Sequence, residues 1–341
     1  MSRKSRKLEH IKYALETGQS LKTGLDDVSF VHNSLPLCSV DDIDLAIQIG
    51  ELTVSSPIFV NAMTGGGGAE TEKINRQLAA AARETGISMS VGSQMAAIRE
   101  PEQASTFSVV REENPDGIII GNLGGEASAD EAKRAVEMIE ANALQIHLNV
   151  IQELVMPEGD RDFSKILKNI ENISSAIPVP VIVKEVGFGM SMETVKRLKD
   201  AGVKIVDIGG SGGTNFGVIE NRRRERMLSF FNDWGISTAV SIAEASTVEG
   251  MTVLASGGIR SGLDIVKCLS LGASGAGIAG YFLKVLEHGG VEALIEEIQT
   301  IHEDVRMIMT ALGVRDFTGI RELPKVISGD TYHWLQQRGV I

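Results

Sequence analysis

Gln145-Ile-His-Leu-Asn-Val-Ile-Gln-Glu153 alternates Ile146, Leu148 and Val150 with Gln145, His147 and Asn149. A period of two predicts a strand with one apolar and one polar face, here running out to Val150. Leu144 before it and Ile151 after it make the segment apolar enough to be buried, and an amide and a carboxylate, Gln152 and Glu153, follow at once. A buried strand carries His and Asn on one face when those groups are paired or face a ligand. A lone His reads as a satisfied core residue. Four polar groups converging on one strand end read as a site.

Outward from this stretch the same kind of segment recurs. Apolar runs begin near Ile58, Ile87, Ile118, Leu144, Val181, Val203, Thr252 and Ala276. Helical patterns separate most of them. Ile74, Leu78, Ala81 and Ala82 share a face that Gly86 ends, and Ala132, Ala135, Val136 and Ile139 share another. Ser191 is a plausible cap for a helix that buries Met192, Val195 and Leu198 and stops at Gly202. Eight βα units imply a parallel sheet buried on both faces, and eight is the number that closes into a barrel. The expected fold is α/β, a (β/α)8 barrel over residues 51–341 behind an N-terminal extension of residues 1–50, one domain overall. An open doubly wound sheet is the rival, but no single glycine-rich turn dominates the first unit. Within the extension, Asp41 to Asp44 and the apolar positions after them suggest a short hairpin.

Composition narrows the function. A formal net charge of −12 and an aromatic content of 4% argue against a nucleic-acid binder, which needs a basic face and stacking platforms. Two cysteines, Cys38 and Cys268, cannot build a disulfide framework and point to a reducing compartment. No apolar run follows the first residues as in a secretory signal, and none is long enough for a membrane span, so a cytoplasmic protein is expected. Arg3, Lys4, Arg6 and Lys7, with His10 after them, make a basic cluster in an acidic chain. The simple reading is a solvated terminus. The other is an arm that folds over a site and brings cations to an anion.

Barrel chemistry sits at the C-terminal ends of the strands, and the polar and glycine-rich residues collect there. The ends read Asn61-Ala-Met-Thr-Gly-Gly-Gly-Gly68, Ser90-Val-Gly-Ser-Gln94, Gly121-Asn-Leu-Gly-Gly125, Lys184-Glu185 and Asp207-Ile-Gly-Gly-Ser-Gly-Gly-Thr-Asn215. Tight turns explain the glycines but not Asn61, Ser93, Asn122 and Lys184 at the same end. Ala255-Ser-Gly-Gly-Ile-Arg-Ser-Gly262 and Ile278-Ala-Gly-Tyr281 suit a phosphate, helped by the positive end of a helix beginning near Ser261. A flavin mononucleotide fits, its phosphate on these two loops and its ring near Ser93, Asn122 and Lys184. Lys184 as an ion-pair partner of Glu185 is the alternative, although successive strand residues point to opposite faces. The longest connection holds Asn221-Arg-Arg-Arg-Glu-Arg226, read by default as a solvated charge run and alternatively as a lid or subunit contact.

Five blocks now stand together: Arg6-Lys-Leu-Glu-His10, Asn61-Ala-Met-Thr-Gly-Gly66, Ser90-Val-Gly-Ser-Gln94, His147-Leu-Asn-Val-Ile-Gln-Glu153 and Gly209-Gly-Ser-Gly-Gly-Thr-Asn215. In these the chain resembles the type 2 isopentenyl-diphosphate delta-isomerase family, FMN-dependent barrel enzymes of isoprenoid biosynthesis. The first and fourth blocks discriminate; the others are common to many FMN barrels. The resemblance implies that Arg6, Lys7 and His10 clamp the substrate diphosphate, with Ser93, Asn149 and Gln152 also at the substrate. It implies that Ala62, Met63, Thr64, Ser93, Asn122, Lys184, Ser211 and Thr214 hold the flavin, and Gly257, Gly258, Arg260, Ala279 and Gly280 its phosphate. Glu153 would bind Mg²⁺ together with the diphosphate, a pattern that ion favours. Gln152 and His147 are the side chains implied at the reacting centre, His147 more simply in orienting substrate. The implied reaction is a double-bond shift without net redox change, with the proton passing through the N5 region of FMN that NADPH has reduced. A homotetramer or larger assembly is implied as well. The family commonly has Pro-Leu where this chain has Val150-Ile151, a departure at the strand exit that leaves the polar residues in place.

Other readings predict differently. An FMN oxidoreductase of the hydroxy-acid oxidase or dihydroorotate dehydrogenase kind explains the barrel and flavin loops, yet leaves Arg6, Lys7, His10, Gln152 and Glu153 without a task. A catalytically idle flavin carrier would bind no diphosphate. An inosinate-dehydrogenase-like enzyme needs a cysteine after strand six, where this chain has none.

Overall fold

The computed structural model describes residues 21–341, so Arg6, Lys7 and His10 lie outside the described residues. Twelve strands form among them: β1 Val28–Phe30, β2 Ile47–Ile49, β3 Leu52–Val54, β4 Ile58–Val60, β5 Ser88–Ser90, β6 Ile119–Gly124, β7 Ala143–Leu148, β8 Val181–Glu185, β9 Ile205–Asp207, β10 Thr252–Ser256, β11 Gly275–Ile278 and β12 Lys325–Ile327. Strands β4 to β11 close a barrel in sequence order, all parallel, with β11 pairing back onto β4. Every expected apolar run is one of these eight strands, displaced by two residues at most. A strand buried on both faces has to read as an apolar run, which is why the barrel is visible in the sequence.

The helices follow local rules. Ala69–Thr85 ends at Gly86 in the left-handed region, φ 70°. Ser128 and Ser191 cap Ala129–Met138 and Met192–Asp200 by accepting from Glu131 N and Thr194 N. One expectation fails: β7 does not run to Val150. It stops at Leu148, Asn149 turns to φ −132° and ψ 38°, and Val150–Val155 is helical. The apolar spacing of Ile146, Leu148 and Val150 fits a strand, while Val150, Ile151 and Val155 equally fit one side of a helical turn.

Inside the barrel the strands alternate between two layers. Phe59, Ile120, Ala143, Ile182, Ile205 and Leu254 make an apolar lower layer, closed from below by Ile49 and Val54 of the β2–β3 hairpin. Two residues further along the same strands stand Asn61, Asn122, Gln145, Lys184, Asp207 and Ser256, all buried. β1 and the C-terminal segment buttress the outside. β12 pairs antiparallel with β1, and the helix Gly329–Gln337 is fixed by Trp334 Nε1 and Arg338 Nε, each 2.9 Å from Glu244 Oε1. This holds the chain near Thr23, whose carbonyl accepts from Ala239 N at 2.9 Å, against the loops at the top of the barrel.

Candidate active site

A cavity of about 1420 Å³ opens at the C-terminal ends of the barrel strands. The loops around it approach so closely that two glycines are obligatory. A Cβ on Gly92 would lie 1.0 Å from the carbonyl oxygen of Thr64, and one on Gly257, at φ 107°, would lie 2.0 Å from that of Gly210.

Its floor is the polar layer, tied into one network from β4 to β10. Asn61 Nδ2 donates to Asp207 Oδ2 at 2.7 Å, and Gln145 Nε2 to Asn61 Oδ1 at 3.3 Å. Ser90 Oγ and Asn122 Nδ2 donate to Gln145 Oε1 at 2.7 and 3.3 Å. Lys184 Nζ lies 3.4 Å from Asp207 Oδ2, 3.4 Å from Ser256 Oγ and 2.8 Å from the Glu185 carbonyl. Ser256 Oγ in turn donates to Asp207 Oδ1. So Lys184 pairs with Asp207, its register partner on the next strand, and not with the Glu185 side chain. That carboxylate points to the other side and folds the next loop, accepting from Gly187 N at 2.7 Å and Phe188 N at 2.6 Å. Burial pushes the Glu185 carboxyl up to about 7 against those two donors.

On one side of the floor stand the groups of β7 and the turn after it. His147 Nδ1 is 3.0 Å from Asn122 Oδ1, an oxygen that only accepts, so Nδ1 carries the proton. Asn149 Nδ2 and Asp160 N both donate to the Glu153 carboxylate at 2.9 Å, and Gln152 Nε2 lies 3.4 Å from Glu220 Oε1. Glu220, fully buried, also meets Arg223 Nη1 at 2.6 Å. The charged run 221–226 is therefore not simply a solvated face. Arg223 reaches Glu158, Arg224 Nη1 donates to Val155 O at 2.8 Å, and Asn221 is buried. These contacts brace the turn that carries Gln152 and Glu153.

On the opposite side are the two phosphate-type loops, and here the expected helix end is not the open one. Asp264 Oδ2 accepts from Arg260 N at 3.0 Å and Ser261 N at 3.1 Å, so the start of helix Gly262–Ser270 is already capped. The helical segment Gly280–Leu312, broken at Gly290, has no side-chain cap at its start, and its first residues, Gly280 and Tyr281, line the cavity. Its first N–H groups lack helical acceptors and offer an anion the positive end of a dipole.

The sequence has close relatives. It is 56% identical over 341 residues to the isopentenyl-diphosphate delta-isomerase of Bacillus licheniformis, covering 100% of this chain and 98% of that protein. The corresponding protein of Bacillus cytotoxicus is 57% identical, with 100% and 98% covered. The chain belongs to the type 2 isopentenyl-diphosphate delta-isomerase family. Residues 148–324 also match the family of FMN-dependent dehydrogenases, so this isomerase family stands within a wider group of FMN proteins. Among solved structures, a flavocytochrome b2 variant with benzoylformate superposes with a TM-score of 0.69 at 19% identity, covering 94% of this chain and 83% of that one. A mandelate oxidase gives 0.65 at 18%, covering 94% and 96%. At that identity the likeness concerns the fold, the same closed barrel.

Most residues expected from the isomerase resemblance meet in the cavity. Ala62, Met63, Ser93, Asn122, His147, Asn149, Gln152, Glu153, Lys184, Thr214, Gly257, Gly258, Arg260, Ala279 and Gly280 all line it. Thr64 and Ser211 do not: the Thr64 hydroxyl donates to Asn75 Oδ1 at 2.6 Å, and the Ser211 backbone bonds Ile236 and Thr238. The Thr64 side chain and the Ser211 backbone thus brace their loops from behind. The donor set suits FMN, with a polar floor, an uncapped helix start and glycines too crowded by backbone to bear side chains. Sequence reasoning missed Asp207 and Glu220. Asp207 was one letter in a glycine-rich string, and Glu220 stood at the edge of a run that looks solvated.

Proposed function

We propose that this cavity interconverts isopentenyl diphosphate and dimethylallyl diphosphate, with FMN reduced by NADPH as cofactor and Mg²⁺ that Glu153 would hold together with the substrate diphosphate. One observation carries the choice over an oxidoreductase: an amide and a carboxylate, Gln152 and Glu153, sit on the turn after β7 beside the flavin-type loops, in a chain 56% identical to an isopentenyl-diphosphate delta-isomerase over its whole length. Among the described residues no cluster of three or more His, Cys, Asp or Glu could hold a metal by itself. A lone carboxylate suits an ion that keeps waters and takes its other ligands from phosphate oxygens.

The residues divide the work. Ala62, Met63, Ser93, Asn122, Lys184 and Thr214 would hold the flavin ring and ribityl chain, with Thr64 and Ser211 supporting their loops. Gly257, Gly258, Arg260, Ala279 and Gly280 would take its phosphate. Arg6, Lys7 and His10 would close over the diphosphate as a basic arm of the 1–50 extension, and Asn149 keeps the Glu153 carboxylate turned. The reaction adds a proton to the terminal alkene carbon and removes one from the allylic carbon, so charge and electrons balance. When bound, reduced FMN supplies an electron-rich ring able to hand on and take back that proton. His147, its Nδ1–H held by Asn122, would orient the substrate. Gln152, held by Glu220, presents its amide at the reacting end. An alkene is a weak base, so the remaining task of the walls is to exclude water. A cytoplasmic homo-oligomer, tetrameric or larger, completes the reading.

The test is anaerobic turnover of the FMN-loaded protein with NADPH, Mg²⁺ and isopentenyl diphosphate. Dimethylallyl diphosphate in large excess over NADPH consumed supports the proposal, and Glu153→Ala should abolish most of the rate and its Mg²⁺ dependence. Stoichiometric NADPH loss without that product would replace the isomerase with an oxidoreductase.

A further inference from the structure

Asp207 is fully buried at the end of β9, at the centre of the cavity floor. Four groups converge on its carboxylate: Asn61 Nδ2 at 2.7 Å, Ser256 Oγ at 2.5 Å, Gly209 N at 3.2 Å and the Lys184 ammonium at 3.4 Å. A carboxylate with no exposure is costly unless paired and hydrogen-bonded, and this one is both. The pair is also polarised. Lys184 lines the cavity while Asp207 does not, so the positive member faces the ligand and the negative one lies behind it. Ser256 ties the two together, since its hydroxyl donates to Asp207 and accepts from Lys184 at 3.4 Å. On the far side Asn61 passes the connection through Gln145 to Ser90 and Asn122.

We infer that Asp207 is a positioning residue for the cofactor: it is the buried counter-ion that keeps the Lys184 ammonium at the cavity floor, and through it sets how strongly the site favours reduced over oxidised FMN. This rests on the assignment of FMN to the cavity, not on the isomerisation. The reasoning is electrostatic. A reduced flavin carries more negative charge than an oxidised one, and a cation fixed beside it stabilises that form. Among the described residues, the other hydrogen-bond partners of Lys184 are the Glu185 carbonyl and the Ser256 hydroxyl. Neither is charged, and the Glu185 carboxylate, the other negative charge that acts on it, is turned into the next loop, so without Asp207 the ammonium loses the counter-ion it pairs with. Such a group is drawn toward water and away from the cavity floor. Asp207→Asn keeps the shape, removes the charge that holds the ammonium in place, and turns one of the two acceptor oxygens into a donor.

The experiment measures the two-electron midpoint potential of bound FMN, with FMN dissociation constants as a separate readout, in the full-length wild type, Asp207→Asn, Lys184→Met, the double variant and the milder Ser256→Ala. The expected result is a lower potential in Asp207→Asn, a lower potential in Lys184→Met, and a double variant no lower than Lys184→Met alone. Ser256→Ala should shift the same way by less, and it carries the test if Asp207→Asn does not fold. The inference is overturned if Asp207→Asn, or Ser256→Ala in its stead, retains the wild-type potential. Shifts that add in the double variant would equally overturn it, because the two residues would then act separately. A wild type that binds no FMN would instead remove the cofactor assignment on which the inference rests.

Discussion

The two layers of the barrel interior are built by the same strands two residues apart, yet they do opposite things. The lower layer, Phe59, Ile120, Ile182, Ile205 and Leu254 under the β2–β3 hairpin, is apolar and sealed. The upper layer, Asn61, Gln145, Asn122, Lys184, Asp207 and Ser256, is as deeply buried but entirely polar. An apolar layer stabilises by leaving water, roughly 1.5–3 kcal/mol per large side chain. A polar layer gains little net stability from burial, because each hydrogen bond replaces one to water. What it provides is direction: every donor is aimed, and the one charge pair has its cation toward the ligand. Stability and function are thus separated by one strand repeat, a claim that substitutions in each layer can break.

The largest effect is expected below. Phe59→Ala removes a ring that is 2% exposed and packed in the barrel bottom, and should cost about 3–5 kcal/mol through lost burial and the cavity left behind. Thermal or urea unfolding measures it. FMN affinity of the molecules that stay folded should remain near wild type. A small stability loss with a large loss of FMN would reverse the roles of the layers.

How much of this was legible differs between the layers for a physical reason. Apolar runs announce strands, so the eight barrel strands followed from the sequence to within two residues at their starts. The glycine loops were also visible, because tight backbone approach allows few alternatives, as at Gly92. The polar layer depends on which strand neighbours which, and at what register. Lys184 and Asp207 are far apart in sequence and become partners only once β8 and β9 align; before that, Glu185 is the nearer carboxylate. Val150 was misread because two periodicities coincide there. Helix Gly262–Ser270 looked open to an anion because half of its capping box, Asp264 opposite Ser261, lies inside it.

A second, somewhat smaller effect concerns acid. His302 sits beneath the barrel, its Nε2 2.8 Å from Ser56 Oγ, and burial together with nearby Arg306 pushes it down to about 4. The unfolded chain takes up that proton near pH 6.5 while the folded one resists, so stability present above pH 6.5 is lost as pH falls toward 4. Comparing melting temperatures of the wild type and His302→Asn across that window should show the wild type losing about 2–3 kcal/mol more. Parallel pH curves for the two proteins would place the acid sensitivity elsewhere, the upper layer included.

The smallest effect sharpens the comparison from above. Ser90→Ala deletes one rung of the polar layer, the 2.7 Å bond to Gln145 Oε1. That oxygen still accepts from Asn122 Nδ2 at 3.3 Å, and Gln145 Nε2 still reaches Asn61. No buried group is stranded, so the cost should be about 1 kcal/mol, that of a single net hydrogen bond. The network, however, loses a constraint on the amide that holds Asn61, and Asn61 is what Asp207 leans on at 2.7 Å. Loss of FMN affinity should therefore be larger, relative to lost stability, than for Phe59→Ala, with calorimetric unfolding and FMN titration run on the same samples. If the two variants show the same ratio, the polar layer is only another part of the core, and direction is not what it contributes.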